Sequence, residues 1–338
     1  HFTAALSYEK KLKAVPIGEY DALLVKGTVP DTYRPSLFDF VAHEALQFYQ
    51  AGEQAGAKSE DTFEILATDP IFGTVEEFLA WKPETTDTSS PALKAVKLYQ
   101  NLLAFHQNDS DPTAFIDADL LRLVFGYNTA FGEEKSGRYR AALKQFISRW
   151  ADHEISARAV FHLASVIRDE GDLVEARRLA LSARNSFPNS IGGVWCDNLV
   201  REIEAKELSI STERVWNDPW PDIAVTYRNV TKVYFKAIEW DYDATLKTRS
   251  YWNLNYLDDR GRKDLLAKKE ALAWSVDLSP TEDYRQRCEL SPAPKTLKPG
   301  FYYIVASASP SFTEGSNQLS YTTVWVSDLA LVVRTRWD

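Results

Sequence analysis

Five histidines, two cysteines and 48 carboxylate side chains are the groups that could do chemistry in this chain of 338 residues. His43-Glu44 and His153-Glu154 each open like the H-E-x-x-H zinc signature, in which two histidines one helical turn apart hold the metal. Neither is followed by the second histidine, so neither can form that pair. His106 and His162 fall inside helical patterns and read as hydrogen-bonded structural histidines, since a lone imidazole rarely marks a site. The chain has no Gly-x-Ser-x-Gly turn, no glycine-rich phosphate loop and no cysteine with nucleophile-type flanks. Asp117 with Asp119, and Asp169 with Asp172, have the spacing of paired carboxylates, but in an acidic chain they read as a solvated helix face. The sequence therefore assigns no catalytic residue, no cofactor-binding residue and no metal ligand. No cofactor is expected, and the chain reads as a non-enzyme.

Cys196 and Cys288 read as two separate thiols, because a bridge needs Cβ atoms within about 4.5 Å and spacing alone does not place them there. Trp216 and Trp220 flank a proline-bearing link. With Trp195 they are expected to be buried between two domains rather than to form an exposed platform, since large aromatics bury well at junctions.

The elements that would position these residues change character across Ser190 to Trp240. Upstream, apolar residues recur at helical spacing; downstream, Ile223, Val225 and Tyr227, then Val233 and Phe235, alternate as half-buried strands require. This predicts two domains, a helical array over 1–206 and a β-sandwich over 207–338. Helix starts are expected at Pro35, with Leu37, Val41, Ala45 and Phe48 along the core face; at Thr74, which with Glu77 has capping-box spacing; at Ser90-Pro91; and at Asp111-Pro112. Seven strands are expected: Leu208 to Val215, Asp222 to Tyr227, Thr231 to Trp240, Leu272 to Leu278, Phe301 to Ala306, Tyr321 to Val326, and Leu329 to Arg336. The last also reads as the first strand of a following domain. Asp258 to Glu270, with two leucines among many charges, reads as a solvated helix or loop between strands.

With 39 Lys and Arg against 48 Asp and Glu, the net charge near −9 disfavours a phosphate-backbone partner, so no nucleic acid is expected. No stretch approaches the roughly 20 apolar residues of a membrane-spanning helix. His1 reads as a processed end, so the missing signal region excludes no compartment.

Between Arg138 and Pro188 the small residues Ala164, Gly171, Ala176 and Ala183, with the closing Pro188, resemble the tetratricopeptide repeat, a helical hairpin of about 34 residues that must stack on its neighbours. Further blocks carry a second resemblance. The runs SIGGVWCDNLVREIEAKELSISTE, IAVTYRNVTKVYFKAIEWD, WSVDLSPTEDYRQRCEL, PGFYYIVAS and VWVSDLALVVR, with RPSLFDFVAHEAL and LYQNLLAFHQNDSDPTAF upstream, resemble the N-terminal region of large bacterial alpha-2-macroglobulin-like proteins. The resemblance implies a helical leader followed by the first of several seven-stranded macroglobulin-like domains, and an extracytoplasmic setting: periplasm, outer membrane or secreted space. It further implies partnership with later domains of the same chain and protease trapping by the parent molecule. That family's thioester motif is C-x-E-Q; Cys196 is followed by DNL and Cys288 by ELS, so no functional residue carries over. Two functions follow as expectations. One is a non-catalytic scaffold and interaction segment of such a protein. The other is an adaptor whose helical repeat or sandwich binds peptide or carbohydrate.

Overall fold

A computed structural model of the chain describes residues 1–25, 27–51, 62–248, 257–315 and 317–328, without the side chains of Leu246 and Thr248. The expected strand Leu329 to Arg336 lies outside the described residues. The chain divides into two compact units, His1–Val200 and Arg201–Asp338.

The first unit is helical. Its elements are α1 (Phe2–Leu6), α2 (Glu9–Lys13), α3 (Leu37–Gln50), α4 (Val75–Ala80), α5 (Pro91–His106), α6 (Thr113–Thr129), α7 (Lys135–Arg149), α8 (Ile155–Asp169), α9 (Leu173–Ser186) and α10 (Ile191–Glu204), the last running on past Val200. Local chemistry fixes the starts. Thr74 and Glu77 form a reciprocal capping box at α4, and Ser90 accepts from the Leu93 N–H with Pro91 in the first turn of α5. At α3 the cap is Ser36, not Pro35, and its box partner is Asp39. Each of α5, α6, α7 and α8 packs on the next helix in the chain, as stacked hairpins must to bury their apolar faces. Gly171, at φ +92°, turns α8 into α9, a left-handed conformation that glycine adopts without a Cβ penalty.

The centre of this unit is α6. It is buried along most of its length, between α5, α7, α8 and the 3₁₀ turns Asp31–Tyr33 and Pro70–Phe72. This corrects the solvated-face expectation for Asp117 and Asp119, which are 1% and 5% exposed. A second correction concerns α3. Phe38, Ala42, Ala45 and Leu46 face the core together with the polar Asp39 and His43, while Phe48 is 52% exposed. Following apolar residues alone had rotated the core face away from the buried polar pair.

The second unit contains β1 (Glu207–Ser211), β2 (Val215–Trp216), β3 (Asp222–Arg228), β4 (Lys232–Glu239), α11 (Tyr242–Thr248), α12 (Asp259–Ala267), β5 (Leu272–Asp277), β6 (Arg287–Pro292), β7 (Gly300–Ser307) and β8 (Leu319–Val326). The described strands form a three-stranded sheet, β1-β3-β6, and a five-stranded sheet, β2-β8-β7-β4-β5. All neighbours are antiparallel except β2 and β8. The inner faces share one core, with Ile223, Val225 and Tyr227 from one sheet and Val233, Phe235, Ile304 and Val324 from the other. Alternation of inward and outward residues along β3 and β4 puts the apolar set on that side.

Three features depart from the sequence expectation. The stretch expected as one strand, Leu208 to Val215, crosses between sheets: β1 pairs with β3, and β2 pairs with β8. Strand β6 was not foreseen. Among the described strands it is an edge strand paired only with β3, and its polar residues lack the alternating apolar signal. Finally, α12 is a helix within the expected insertion but does more than meet solvent. Leu265 is 1% exposed and packs with Ile238, Phe301, Tyr303 and Val305 on the outer face of the larger sheet. Strand β7 is thus covered on both faces, which accounts for its unbroken run of buried residues.

The aromatic junction is corrected too. Trp216 is fully buried in the sandwich core, with Trp220 packed beside it at 6.2 Å between ring centroids. Trp195 sits in the helical unit, 5.3 Å from Phe161 and 5.5 Å from the Arg158 guanidinium.

Candidate functional site

The densest set of chemical groups is a buried polar seam inside the helical unit, contributed by α3, α5, α6 and α8. Ser36, Asp39 and His106 form a chain that superficially suggests a hydrolase triad. The Ser36 hydroxyl donates to Asp39 Oδ2 at 2.7 Å, and Asp39 Oδ1 lies 2.7 Å from His106 Nε2. His106 Nδ1 is 2.7 Å from Asp109 Oδ2. The order is wrong for nucleophilic catalysis. A general base must reach the serine proton directly, whereas here the carboxylate stands between serine and imidazole. Ser36, Asp39 and His106 are each buried, and Asp39 is already engaged in capping α3.

The electrostatics fit a fixed ion cluster. Burial alone would push His106 down, but hydrogen bonds and charge from Asp39 and Asp109 outweigh it and raise its pKa. Burial would likewise raise Asp39, and His106 and Ser36 more than offset it, so that carboxyl is held below its usual range. The His106 ring therefore bridges α3, through Asp39, to Asp109 just beyond α5.

Two further buried pairs join neighbouring elements. Asp117 on α6 pairs with Arg158 on α8, and the guanidinium also lies against the rings of Tyr33 and Trp195. Asp119 holds Arg122 at 2.6 Å, leaving the same guanidinium to donate to the carbonyls of Ile71 and Gly73 at 2.9 and 3.0 Å. Those carbonyls belong to the 3₁₀ turn Pro70–Phe72 and its cap, so Arg122 ties that turn to α6. Tyr33 donates its hydroxyl to Glu154 at 2.8 Å, fastening another turn beside α8.

His43, His153 and His162 are likewise occupied or shielded. His153 Nδ1 accepts from the Ile155 N–H and its Nε2 is 3.2 Å from the Thr113 hydroxyl, at the starts of α8 and α6. His43 and His162 are pushed down to about 4, chiefly by burial, and stay neutral at pH 7. Asp172 caps α9 by accepting from the Glu175 N–H, and Asp169 pairs with Arg168, so their spacing reflects helix chemistry. Among the described residues, no group of three or more His, Cys, Asp or Glu is placed to hold a metal ion.

Both cysteines are free thiols. Cys196 is buried, 3.6 Å from the Ala157 carbonyl, and burial pushes its thiol up to about 12. It is protonated at neutral pH and a poor nucleophile. Cys288 is exposed on β6.

Sequence reasoning missed Asp39, Asp117, Asp119, Arg122 and Arg158 as partners. The signal available was the run FIDADLLRLVF in α6, where carboxylates and an arginine sit among apolar residues on every face and so must find partners. Clefts of ligand size do occur at the surface. One, over α7, α8 and α9, has an apolar floor of Val160, Leu163 and Leu179 beneath the Arg140–Glu170 ion pair. Another opens on the outer face of the sandwich beside Trp240, Tyr242 and Trp325. Comparison with protein families, with curated proteins and with solved structures yields no match. Among the described residues, no helix is long and apolar enough to cross a membrane.

Proposed function

We propose that this chain is the non-catalytic N-terminal scaffold of a large alpha-2-macroglobulin-like protein of the bacterial envelope or secreted space, working through contacts with proteins and with later domains of its own chain. The observation that carries this reading is the order of architectures: a stacked helical leader followed by a two-sheet sandwich. Counting β1 and β2 as one strand that switches sheets gives seven described strands, the number a macroglobulin-like domain requires. A tetratricopeptide-like hairpin at α8 and α9 is supported by small residues at the packing positions. Ala164, Ala176 and Ala183 are buried, where larger side chains would push the helices apart. The lack of catalysis is supported by the seam itself, whose ionisable groups are committed to one another, and by the protonated Cys196.

The test uses the parent polypeptide. A trapping inhibitor should block a protease from digesting protein substrates while leaving small chromogenic peptides accessible, and removal of residues 1–338 should weaken trapping or assembly without creating or destroying hydrolytic activity. A reading frame that stops at Asp338, or hydrolysis of ester, glycoside or peptide substrates by the purified chain, would refute the reading.

A further inference from the structure

We propose that the sandwich binds carbohydrate in a cleft on the outer face of its larger sheet, with the exposed ring of Trp325 as the stacking platform. The outward residues of β4, β7 and β8 form an aromatic and aliphatic layer that α11 and α12 cover unevenly. Ile238 and Tyr303 are fully buried and Phe301 is 5% exposed, yet Trp325, in the same layer, is 38% exposed. Among the described residues the cover stops one ring short, and the open space there has a volume of about 690 Å³, within the range of roughly 300 to 1,000 Å³ typical of small-ligand sites.

Ring geometry narrows the ligand class. Trp325 touches Tyr242 at 4.9 Å and Phe301 at 5.0 Å between centroids, and Tyr242 and Phe301 touch each other at 5.2 Å. Rings this close leave no gap for a quaternary ammonium to sit between them, which an aromatic cage requires. What remains is one flat apolar surface held rigidly from behind. Around it stand the exposed side chains of Glu239, Asp241, Asp243, Lys268 and Lys269. Three carboxylates against two ammonium groups disfavour a phosphate or nucleotide, while supplying both acceptors and donors at the rim. A pyranose ring presents the matching chemistry: a C–H face to lie on an indole, and edge hydroxyls that donate and accept. The site does not depend on what the parent molecule is, and goes beyond the scaffold reading.

The test is isothermal titration calorimetry of the whole chain with soluble hexasaccharides of glucose and N-acetylglucosamine in α and β linkages, each at millimolar concentration. At least one should bind. Trp325→Ala should weaken that binding by roughly tenfold or more, as loss of a central aromatic anchor does. Trp325→Phe should keep most of it, and Asp243→Asn should alter affinity without changing the melting temperature. Because Trp325 also packs on Tyr242 and Phe301, binding by Trp325→Ala is measured well below its own melting temperature, and Trp325→Phe, which keeps a ring against both neighbours, separates loss of the platform from loss of the fold. No binding by any saccharide, equal binding by Trp325→Ala, or a site that takes peptides but no sugar would each overturn the proposal.

Discussion

The buried Asp117–Arg158 pair sets the most demanding test of how the helical unit is held together. Asp117 is 1% and Arg158 7% exposed, and the Arg158 Nε atom has no hydrogen-bond partner. The guanidinium thus relies on one carboxylate and two ring faces for its compensation. Replacing Asp117 by Asn would leave a cation in a site that water does not reach, which typically costs about 3 to 5 kcal/mol. For a unit of this size that corresponds to a fall in melting temperature of roughly 6 to 20 °C. Arg158→Met should cost a similar amount by stranding the carboxylate. The double variant Asp117→Asn/Arg158→Met should be more stable than either single one, because it removes both uncompensated charges together. Calorimetry on the four proteins measures the coupling. Single variants that each lose under about 1 kcal/mol, or a double variant whose loss is the sum of the two, would show that the pair is incidental and that packing around α6 does the holding.

Other expectations follow from the same contacts. His43 and His162 are held down to about 4, so between pH 6.5 and 4 the unfolded chain takes up protons that the fold refuses. Their contribution is intact above pH 6.5 and falls with acid by about 3 kcal/mol per histidine, which a melting-temperature profile should show and His162→Phe should flatten. His106 acts in the opposite sense: its raised pKa gives a contribution complete below pH 6.5 and lost as pH rises through the folded value, which the same profile should show on the alkaline side of pH 6.5. A Cβ at Gly192 would meet the Arg158 backbone nitrogen at 2.2 Å, so Gly192→Ala should destabilise by about 1 to 3 kcal/mol. Gly137→Ala, with open space in α7, should instead stabilise by about 0.5 to 1 kcal/mol; denaturant titrations compare the two. An aromatic disulfide reagent should find one thiol, Cys288, in the native protein and both in denaturant; rapid native reaction at Cys196 would contradict its burial. Trp216→Ala should cost about 3 to 5 kcal/mol by opening a cavity in the sandwich core, read by denaturation of the second unit.

What could be read from the sequence was mostly local. The caps at Thr74 and Ser90 are decided within one helical turn, and the strands from Asp222 to Trp240 carry alternation that needs no knowledge of their neighbours. What escaped was decided at a distance. Asp39 and Asp117 look like surface carboxylates until His106 and Arg158, far off in sequence, arrive beside them. Strand β6 exists because β3 offers it an edge, and its own residues give no apolar rhythm. Leu265 and Leu266 sit among charges, so their role as a cover emerges only once the outer face of β7 is in place. The carbohydrate cleft was invisible for the same reason: Tyr242, Phe301 and Trp325 belong to three separate elements.

The switch of the first strand between sheets has a mechanical side. Strand β2 runs parallel to β8, with Trp325 N–H donating to the Arg214 carbonyl at 2.7 Å and Ser327 N–H to the Trp216 carbonyl at 3.2 Å. Tension entering through β2 and leaving through β8, the last described strand, would load these bonds lengthwise and together, instead of peeling them one at a time from an end. A short patch loaded in shear resists pulling far more than its bond count suggests. Trp216, anchored in the core beside it, would have to be dragged out of its cavity before the strands could slide. The sandwich is thereby built to yield late under stretch.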